Sequence, residues 1–109
     1  ARFATLAGSK LAPGAHGRVT FDPRTGRALL VASDLPPAPA GKAYQLWFIK
    51  GAAPPVPGRV FQTDASGRGS LRDQAPPRGL DADTFAVTLE PEQGVTAPTG
   101  QIYLVGKIS

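Results

Sequence analysis

Hydrophobic and polar residues alternate along much of this chain with a period of two. In residues 18–22, for example, Val19 and Phe21 fall on one side and the polar residues between them on the other. This period is typical of β-strands that bury one face. Similar segments recur along the chain, separated by turn residues, and predict about eight strands, at 2–7, 18–22, 27–33, 42–50, 59–63, 70–72, 83–90 and 101–108.

Two of these segments are apolar on both faces and are therefore expected to be central strands. The first is 28–32, an uninterrupted apolar run. The second is 42–50, the strongest strand, in which two sets of side chains alternate, Tyr44, Leu46 and Phe48 against Gln45, Trp47 and Ile49. We expect both strands to be covered on both sides.

The last two predicted strands alternate between two sets of side chains. In 83–90, Phe85, Val87 and Leu89 are predicted to face inward, with Thr84, Ala86 and Thr88 outward. In 101–108, the pattern groups Ile102, Leu104 and Ile108 against Tyr103 and Val105. The first strand, 2–7, is predicted to lie at a sheet edge.

Glycine and proline determine the connections between the strands. The chain has 13 Gly and 12 Pro, and its longest stretch without either is residues 80–90, too short for a long helix or a membrane span. Pro23 and Gly26 predict a hairpin turn, and residues 35–41 a stiff crossover. The predicted fold is all-β, a two-layer antiparallel β-sandwich of about eight strands with long Pro/Gly-rich loops. A closed barrel is the alternative.

Length and composition limit the class of protein further. The 109 residues fit a single domain, 1–109. Cysteine is absent, which excludes disulfides, thiol catalysis and cysteine-based metal sites. The first residues lack the charged and apolar regions of a signal peptide. The net charge of +4 comes from scattered Arg and Lys residues, which favours a solvated basic surface over a nucleic-acid site.

The inventory of catalytic side chains is small. His16 is the only histidine and is interpreted as a surface or turn residue. The acidic pairs Asp81 with Asp83 and Glu90 with Glu92 stand at strand ends, where solvated charge or turn capping is favoured over a cation site or acid–base catalysis. We therefore predict no enzyme, no cofactor and no metal site.

Other features have two interpretations. Residues 64–69 superficially resemble a calcium loop, but the later bidentate carboxylate is missing, so a hairpin turn at 64–67 is predicted. Trp47, Tyr44 and Tyr103 could form a stacking platform for a sugar or peptide if exposed, although core packing is the preferred interpretation.

Two longer motifs resemble a known family. Tyr44-Gln45-Leu46-Trp47 is the first, and the second is Thr88-Leu89-Glu90-Pro91 followed by Gly94 and Pro98-Thr99-Gly100. Two shorter features precede them, the hairpin residues 21–23 and a Leu-Pro-Pro crossover at 35–37. Together these features resemble the C-terminal domain of the RskA-type anti-sigma-K factor family over about residues 19–105. We interpret the residues of both motifs as a structural framework or a partner surface, the latter centred on Glu90 and Thr99.

The resemblance implies a longer parent protein with three parts. A cytosolic segment would bind an extracytoplasmic-function sigma factor, a transmembrane helix would follow, and this domain would lie outside the membrane, in the periplasm or at the cell surface. The first two parts would precede Ala1. Membrane-associated proteases would inactivate such an anti-sigma factor stepwise, and this domain would sense a signal or gate the first cut.

A gating role predicts which residues of the domain are cleaved first by a protease. Residues 1–13 and the loop 51–58 are the expected sites of cleavage, because Gly and Pro limit regular pairing there, whereas 44–49 should be protected. Two other functions remain open. One is a secreted module that binds carbohydrate or peptide, and the other, disfavoured by the poor ligand set, is a metal-dependent enzyme.

Overall fold

A computed structural model describes residues 1–109, and strands account for almost all of its regular structure. The only helix is a single 3-10 turn, Pro77–Gly79, so no helix has the length or hydrophobicity to cross a bilayer. The prediction of an all-β fold with about eight antiparallel strands is confirmed. In chain order the strands are β1 (Arg2–Gly8), β2 (His16–Phe21), β3 (Arg27–Ser33), β4 (Lys42–Ile49), β5 (Val56–Phe61), β6 (Gly69–Gln74), β7 (Thr84–Pro91) and β8 (Ile102–Lys107).

The strands form one sheet in the order β5-β4-β7-β8-β1-β2-β3-β6, and the sheet curls until its two edges meet. The edge strands β5 and β6 are consecutive in sequence, yet no ladder joins them. Instead, the backbone amide of Arg59 donates to Asp73 Oδ2 at 2.7 Å. Gly58 permits this approach, since a Cβ there would lie 2.5 Å from Asp73 Oδ2 and 2.7 Å from the Leu46 carbonyl oxygen. The result is a sandwich with a nearly closed, barrel-like cross-section.

The first strand is central and not at an edge, so that prediction is wrong. β1 pairs with β2 through Ala4 opposite Val19, and with β8 through Ala7 opposite Val105. Ala4 is fully buried. The second partner comes from the end of the chain, and a local pattern contains no information on such a distant pairing.

The two apolar strands have different environments. In β4 the prediction is confirmed, because both sets of side chains between Ala43 and Phe48 are buried. In β3 it is wrong, because Leu29 and Val31 are 37% and 50% exposed. The sheet interior covers the inner face of β3, but no segment crosses its outer face.

Aromatic side chains fill the interior. The rings of Phe21, Phe48 and Phe85 pack together with centroids 5.3 to 6.0 Å apart, and Tyr44 packs edge-on against Tyr103 at 5.4 Å. These contacts form part of a single hydrophobic cluster inside the curled sheet.

An irregularity in β8 changes the predicted alternation of that strand. Val87 lies opposite Leu104, but the neighbouring Thr88 lies opposite Ile102, so one residue of β8 is extra. Consequently Tyr103 and Leu104, although adjacent, both pack on the core, while Ile102 is exposed. Such bulges reverse the side-chain alternation beyond them.

Candidate functional site: a buried carboxylate beneath the 92–101 segment

The outer face of β4 and β7 is covered by the chain itself. After β7 ends at Pro91, the residues up to β8, which we call the 92–101 segment, fold back over this face. The side chains beneath the segment are all buried. They pair across the two strands, Ala43 opposite Glu90, Gln45 opposite Thr88, and Trp47 opposite Ala86. Ala86 and Thr88 point outward as predicted, but that face is closed to solvent.

Glu90 is the centre of this layer and has no exposed surface. Its Oε1 accepts a hydrogen bond from the Thr99 hydroxyl at 2.6 Å, and its Oε2 accepts one from the Thr88 hydroxyl, also at 2.6 Å. The backbone amides of Thr99 and Gly100 donate to the same carboxylate at 3.2 to 3.3 Å. A charged acceptor surrounded by donors makes stronger hydrogen bonds than a neutral one.

The network continues to Trp47. The indole Nε1 of Trp47 donates to Thr88 Oγ1 at 2.8 Å, and the same hydroxyl donates onward to Glu90. A hydroxyl has one proton to donate, so this arrangement fixes its direction. The side chain of Trp47 on β4 is thereby linked through β7 to the 92–101 segment.

Hydrogen bonding keeps Glu90 ionised despite its burial. Burial by itself raises the pKa of a carboxyl group, because it disfavours the charged form. In Glu90 the bonds from Thr88, Thr99 and Gly100 outweigh burial and hold the pKa below its ordinary value of 4.5. No cation lies within ion-pair distance, so neutral donors alone stabilise the charge.

Gln45 fastens the middle of the same segment. Its Oε1 accepts from the Val95 amide and its Nε2 donates to the Val95 carbonyl, both at 3.0 Å. The Nε2 group also donates to the Gly58 carbonyl of β5 at 3.0 Å. One side chain on β4 therefore holds both the segment and the edge strand.

Two glycines in the motif are required by the local backbone. Gly94 has φ of 82°, which favours glycine, and its amide closes a turn on the Pro91 carbonyl at 2.9 Å. Gly100 has little space, since a Cβ there would overlap the Leu89 carbonyl oxygen. The segment can approach β7 this closely only with glycine at residue 100.

Tyr44 connects the opposite face of β4 to the proline crossover. Its hydroxyl donates to the Pro36 carbonyl oxygen. Burial and the neighbouring Tyr103 raise the pKa of Tyr44 to about 12, so the phenol remains a neutral donor. Tyr44 thus holds the long connection between β3 and β4.

The structure brings only part of the two motifs together. Trp47, Thr88, Glu90, Thr99 and Gly100 form one hydrogen-bonded network. Gln45 and Gly94 lie beside it, and Leu46 and Leu89 point to the interior. Pro91 closes β7, while Pro98 is exposed on the segment.

The predicted solvation of the acidic pairs is wrong for one member. Glu90 is buried and Glu92 is exposed, so the two carboxyl groups do not act together. The sequence contains one indication that Glu90 is buried. Ala86, Thr88 and Glu90 are spaced two apart, so two small residues share a strand face with the acid. The hydrogen bonds of Gln45, made across fifty residues of sequence, had no such signal.

The other candidate residues are placed separately. His16 is exposed on β2, with Nδ1 4.0 Å from Asp34. Asp83 accepts from the Thr84 hydroxyl at 2.9 Å and lies 3.8 Å from Lys50 Nζ, while Asp81 is exposed. Residues 64–67 form the predicted turn, with Asp64 Oδ1 accepting from the Ser66 and Arg68 amides. No three acidic or histidine side chains lie close enough together to hold a metal ion.

The aromatic residues do not form an exposed platform. Trp47 and Tyr44 are buried and Tyr103 is partly buried, so their rings are packed within the protein. The Glu90 carboxylate likewise has no free lone pair directed at solvent. The arrangement can hold the 92–101 segment on the sheet.

Comparison with known proteins identifies relatives of the chain. Residues 1–102 match the family described as the C-terminal region of the anti-sigma-K factor RskA. The anti-sigma-K factor RskA of Mycobacterium ulcerans is 31% identical over 91 residues, which are 82% of this chain and 37% of the relative. An uncharacterised protein of the phr 5′ region of Streptomyces griseus is 34% identical over 96 residues, 88% of this chain and 39% of the relative.

The chain therefore spans less than two fifths of the length of these curated relatives. No solved structure gives a significant match. The family match extends from the first strand into the last, and the buried network is built from the two motifs by which the sequence resembles this family. The chain belongs to the family of anti-sigma-K factor RskA C-terminal domains.

Proposed function

We propose that this chain is the extracytoplasmic regulatory domain of a membrane-anchored anti-sigma factor and that it acts without catalysis. Membership of the RskA C-terminal family supports a role in the control of a sigma factor. The chain matches only 37% of the RskA relative. In the proposed parent protein, the sigma-binding segment and the membrane helix belong to the remainder.

The observation that carries the proposal is the closure of the fold around Glu90. Six of the eight strands are paired on both sides, and the seam between the other two is bridged by Asp73. The 92–101 segment, the longest connection over the outer face, is held by Glu90 and Gln45. A protease needs several residues of extended, accessible backbone, so cleavage requires local opening. The stability of the folded domain then sets the rate of the first proteolytic cut.

The experiment follows cleavage of the full-length parent protein in its own cells. Glu90→Gln keeps the size of the side chain but replaces one acceptor oxygen by a donor that opposes the surrounding N–H and O–H groups. We expect faster loss of the full-length protein and accumulation of a shortened fragment in a pulse-chase. Deletion of the membrane-associated proteases should abolish the fragment.

The matched control is Glu92→Gln, which makes the same chemical change two residues away at an exposed position. It should leave the half-life of the parent protein at the wild-type value. Equal half-lives for wild type and Glu90→Gln, with the variant measurably less stable, would contradict gating by this domain.

Limited proteolysis of the domain provides a separate prediction. β1 is paired on both sides, which protects residues 2–8, whereas residues 10, 11, 13 and 14 and residues 50–54 are exposed in connections. We expect the first cuts in 9–14 or 50–55, identified by mass spectrometry of the earliest fragments. First cuts within residues 44–49 would show that the sheet opens at its centre and not at its connections.

A further inference from the structure

The outer face of β1, β2, β3 and β6 has exposed apolar side chains that no other part of the chain covers. Phe3, Leu29 and Val31 point outward there and are 45%, 37% and 50% exposed. An antiparallel sheet normally presents polar residues on such a face. On the opposite side of the molecule, the 92–101 segment covers the corresponding face of β4 and β7. Here no segment of the chain does so.

The strand register interleaves these apolar residues with arginine. One cross-strand row contains Phe3, Thr20, Leu29 and Arg72, and the next contains Thr5, Arg18, Val31 and Ser70. The guanidinium of Arg18 lies 4.3 Å from the centre of the Phe3 ring, a cation–π contact that holds the charge over the apolar patch.

The arginines of this face have no acidic partners. The ion pairs in the molecule are His16 with Asp34, Arg24 with Asp22, and Lys50 with Asp83, so Arg18, Arg27 and Arg72 are unpaired. Two carboxylates border the face, and both are engaged. Asp22 accepts from the Arg24 amide at 3.0 Å, and Asp73 accepts from the Arg59 amide at 2.7 Å.

Two shallow, open depressions lie on this face. A depression of about 680 Å³ is bordered by Arg27, Leu29 and Arg72. A second depression of about 410 Å³ adjoins it and is bordered by Arg18 and Val31, with Thr20 and Leu29 common to both. Four adjacent strands span roughly 14 Å, the length of four or five extended residues.

From these observations we propose that this face binds an acidic polypeptide segment in an extended conformation. Carboxylates of the partner would meet Arg18, Arg27 and Arg72, and its apolar side chains would cover Leu29 and Val31. Charge complementarity selects an anionic partner, and the alternation of arginine with apolar residues requires a partner with both characters. The proposal does not depend on the extracytoplasmic regulatory role.

Two other occupants fit less well. A second copy of the chain, related by a two-fold axis, would bring the unpaired arginines of both copies together, which is repulsive. A bilayer presents its anionic headgroups above its apolar chains, so it does not alternate the two characters along the face as the arginines, Leu29 and Val31 do. Both occupants are outcomes that the experiment below distinguishes.

The test is a selection of displayed random 12-residue peptides on the folded domain. We expect enriched peptides to combine Asp or Glu with apolar residues. Backbone amide NMR with a selected peptide should shift the resonances of β2, β3 and β6. The double variant Arg18→Glu, Arg72→Glu should bind on the order of tenfold or more weakly, since each substitution replaces an attractive charge by one that repels the acidic peptide.

The matched control is Arg68→Glu with Arg78→Glu, which changes the net charge equally at exposed positions outside the face. It should keep the wild-type affinity, and thermal melting verifies that both double variants fold. Leu29→Ser, which retains every arginine, should also weaken binding.

Several results would overturn the proposal. These are no enriched peptide, enriched peptides without acidic residues, shifts confined to another face, or equal loss of affinity in both double variants. Co-sedimentation with phosphatidylcholine–phosphatidylglycerol vesicles that Arg18→Glu, Arg72→Glu abolishes, without peptide binding, would assign the face to a membrane instead. Dimers in light scattering that Val31→Asp dissociates, again without peptide binding, would assign it to a second copy.

Discussion

At the scale of single residues, Glu90 is the unusual feature of this molecule. A fully buried carboxylate is normally paired with a cation or neutralised by protonation. Here Thr88, Thr99 and Gly100 supply neutral donors in place of a cation. Trp47 extends the network into β4, so a single ionised group connects two strands and the 92–101 segment.

Replacing Glu90 by Gln should lower the free energy of unfolding by about 2 kcal/mol. The physical reason is that hydrogen bonds to a charged acceptor contribute about 1.5 to 3 kcal/mol, and a buried donor left without an acceptor is costly. Urea unfolding followed by tryptophan fluorescence measures the change through Trp47, the only tryptophan. Glu92→Gln should unfold like the wild type, and equal midpoints for the two variants would contradict the assigned role.

The same residue should contribute to the acid sensitivity of the fold. Its folded pKa lies below the ordinary 4.5, so its stabilising contribution is complete above that pH and is lost as pH falls through the folded value. Between neutral pH and pH 3, the wild type should lose more stability than Glu90→Gln. Asp22, Asp64 and Asp83, whose pKa values are also lowered, remain in the variant and account for the rest. Parallel curves for the two proteins would show that Glu90 does not titrate as described.

Among the structural elements, the 92–101 segment adds a covering layer to the eight strands, although it has no regular secondary structure. It covers the outer face of β4 and β7, and it is positioned by Gln45, Glu90 and the close approach of Gly100 to Leu89. Most residues of the segment are exposed, but its backbone groups that face the sheet need hydrogen-bond partners there. In this segment the side chains of Gln45 and Glu90 supply those partners.

Gly100→Ala should therefore release the segment. The added methyl group would overlap the Leu89 carbonyl oxygen, and overpacking of this kind costs about 1 to 3 kcal/mol. Gly14→Ala is the control, since nothing lies within 4 Å of its Cβ position. Amide hydrogen exchange should rise in residues 92–101 of Gly100→Ala only. Unchanged exchange there would mean that the segment is not held by this contact.

At the scale of the whole molecule, the sheet is continuous except at one seam. β5 and β6 are linked through Arg59, whose backbone amide donates to Asp73 Oδ2 at 2.7 Å and whose guanidinium donates to the Arg72 carbonyl at 3.4 Å. Every other neighbouring pair of strands has a hydrogen-bonded ladder. Local opening should therefore begin at this seam, which has the fewest hydrogen bonds between strands.

Asp73→Ala should open the seam selectively. We expect faster amide exchange in β5 and β6 and unchanged exchange in β1, β7 and β8, measured by NMR under native conditions. Asp81→Ala removes a carboxylate from an exposed position outside the strands and should leave all strands unaffected. A uniform rise in exchange across the sheet in Asp73→Ala would mean that the molecule opens as one unit.

The strands could be predicted from the sequence because period two is a local signal. The two-sided burial of β4 was equally visible, since Tyr44 and Trp47 fall on opposite faces of one apolar run. Position in the sheet was not visible. The apolar run of β3 has the same pattern as that of β4, yet Leu29 and Val31 are exposed. The difference arises because the distant 92–101 segment covers the outer face of β4 and not that of β3.

The buried network was predicted only in part. The motif residues from Thr88 to Gly100 could be singled out by resemblance, but the burial of Glu90 depends on a segment that returns nine residues later. Their interpretation as a structural framework or partner surface stays a prediction, and so do the signal, the proteases and the membrane anchor of the parent protein.

Our main proposal is that the stability of this domain controls a sigma factor bound elsewhere in the proposed parent protein. The most direct test measures sigma-dependent transcription in cells that carry Glu90→Gln, Glu92→Gln, Gly100→Ala or Gly14→Ala in the full-length protein. We predict that transcription rises as the free energy of unfolding falls, because the opened population grows with each loss of stability, and that Glu92→Gln and Gly14→Ala match the wild type. Transcription at the wild-type level in both destabilised variants would contradict the account.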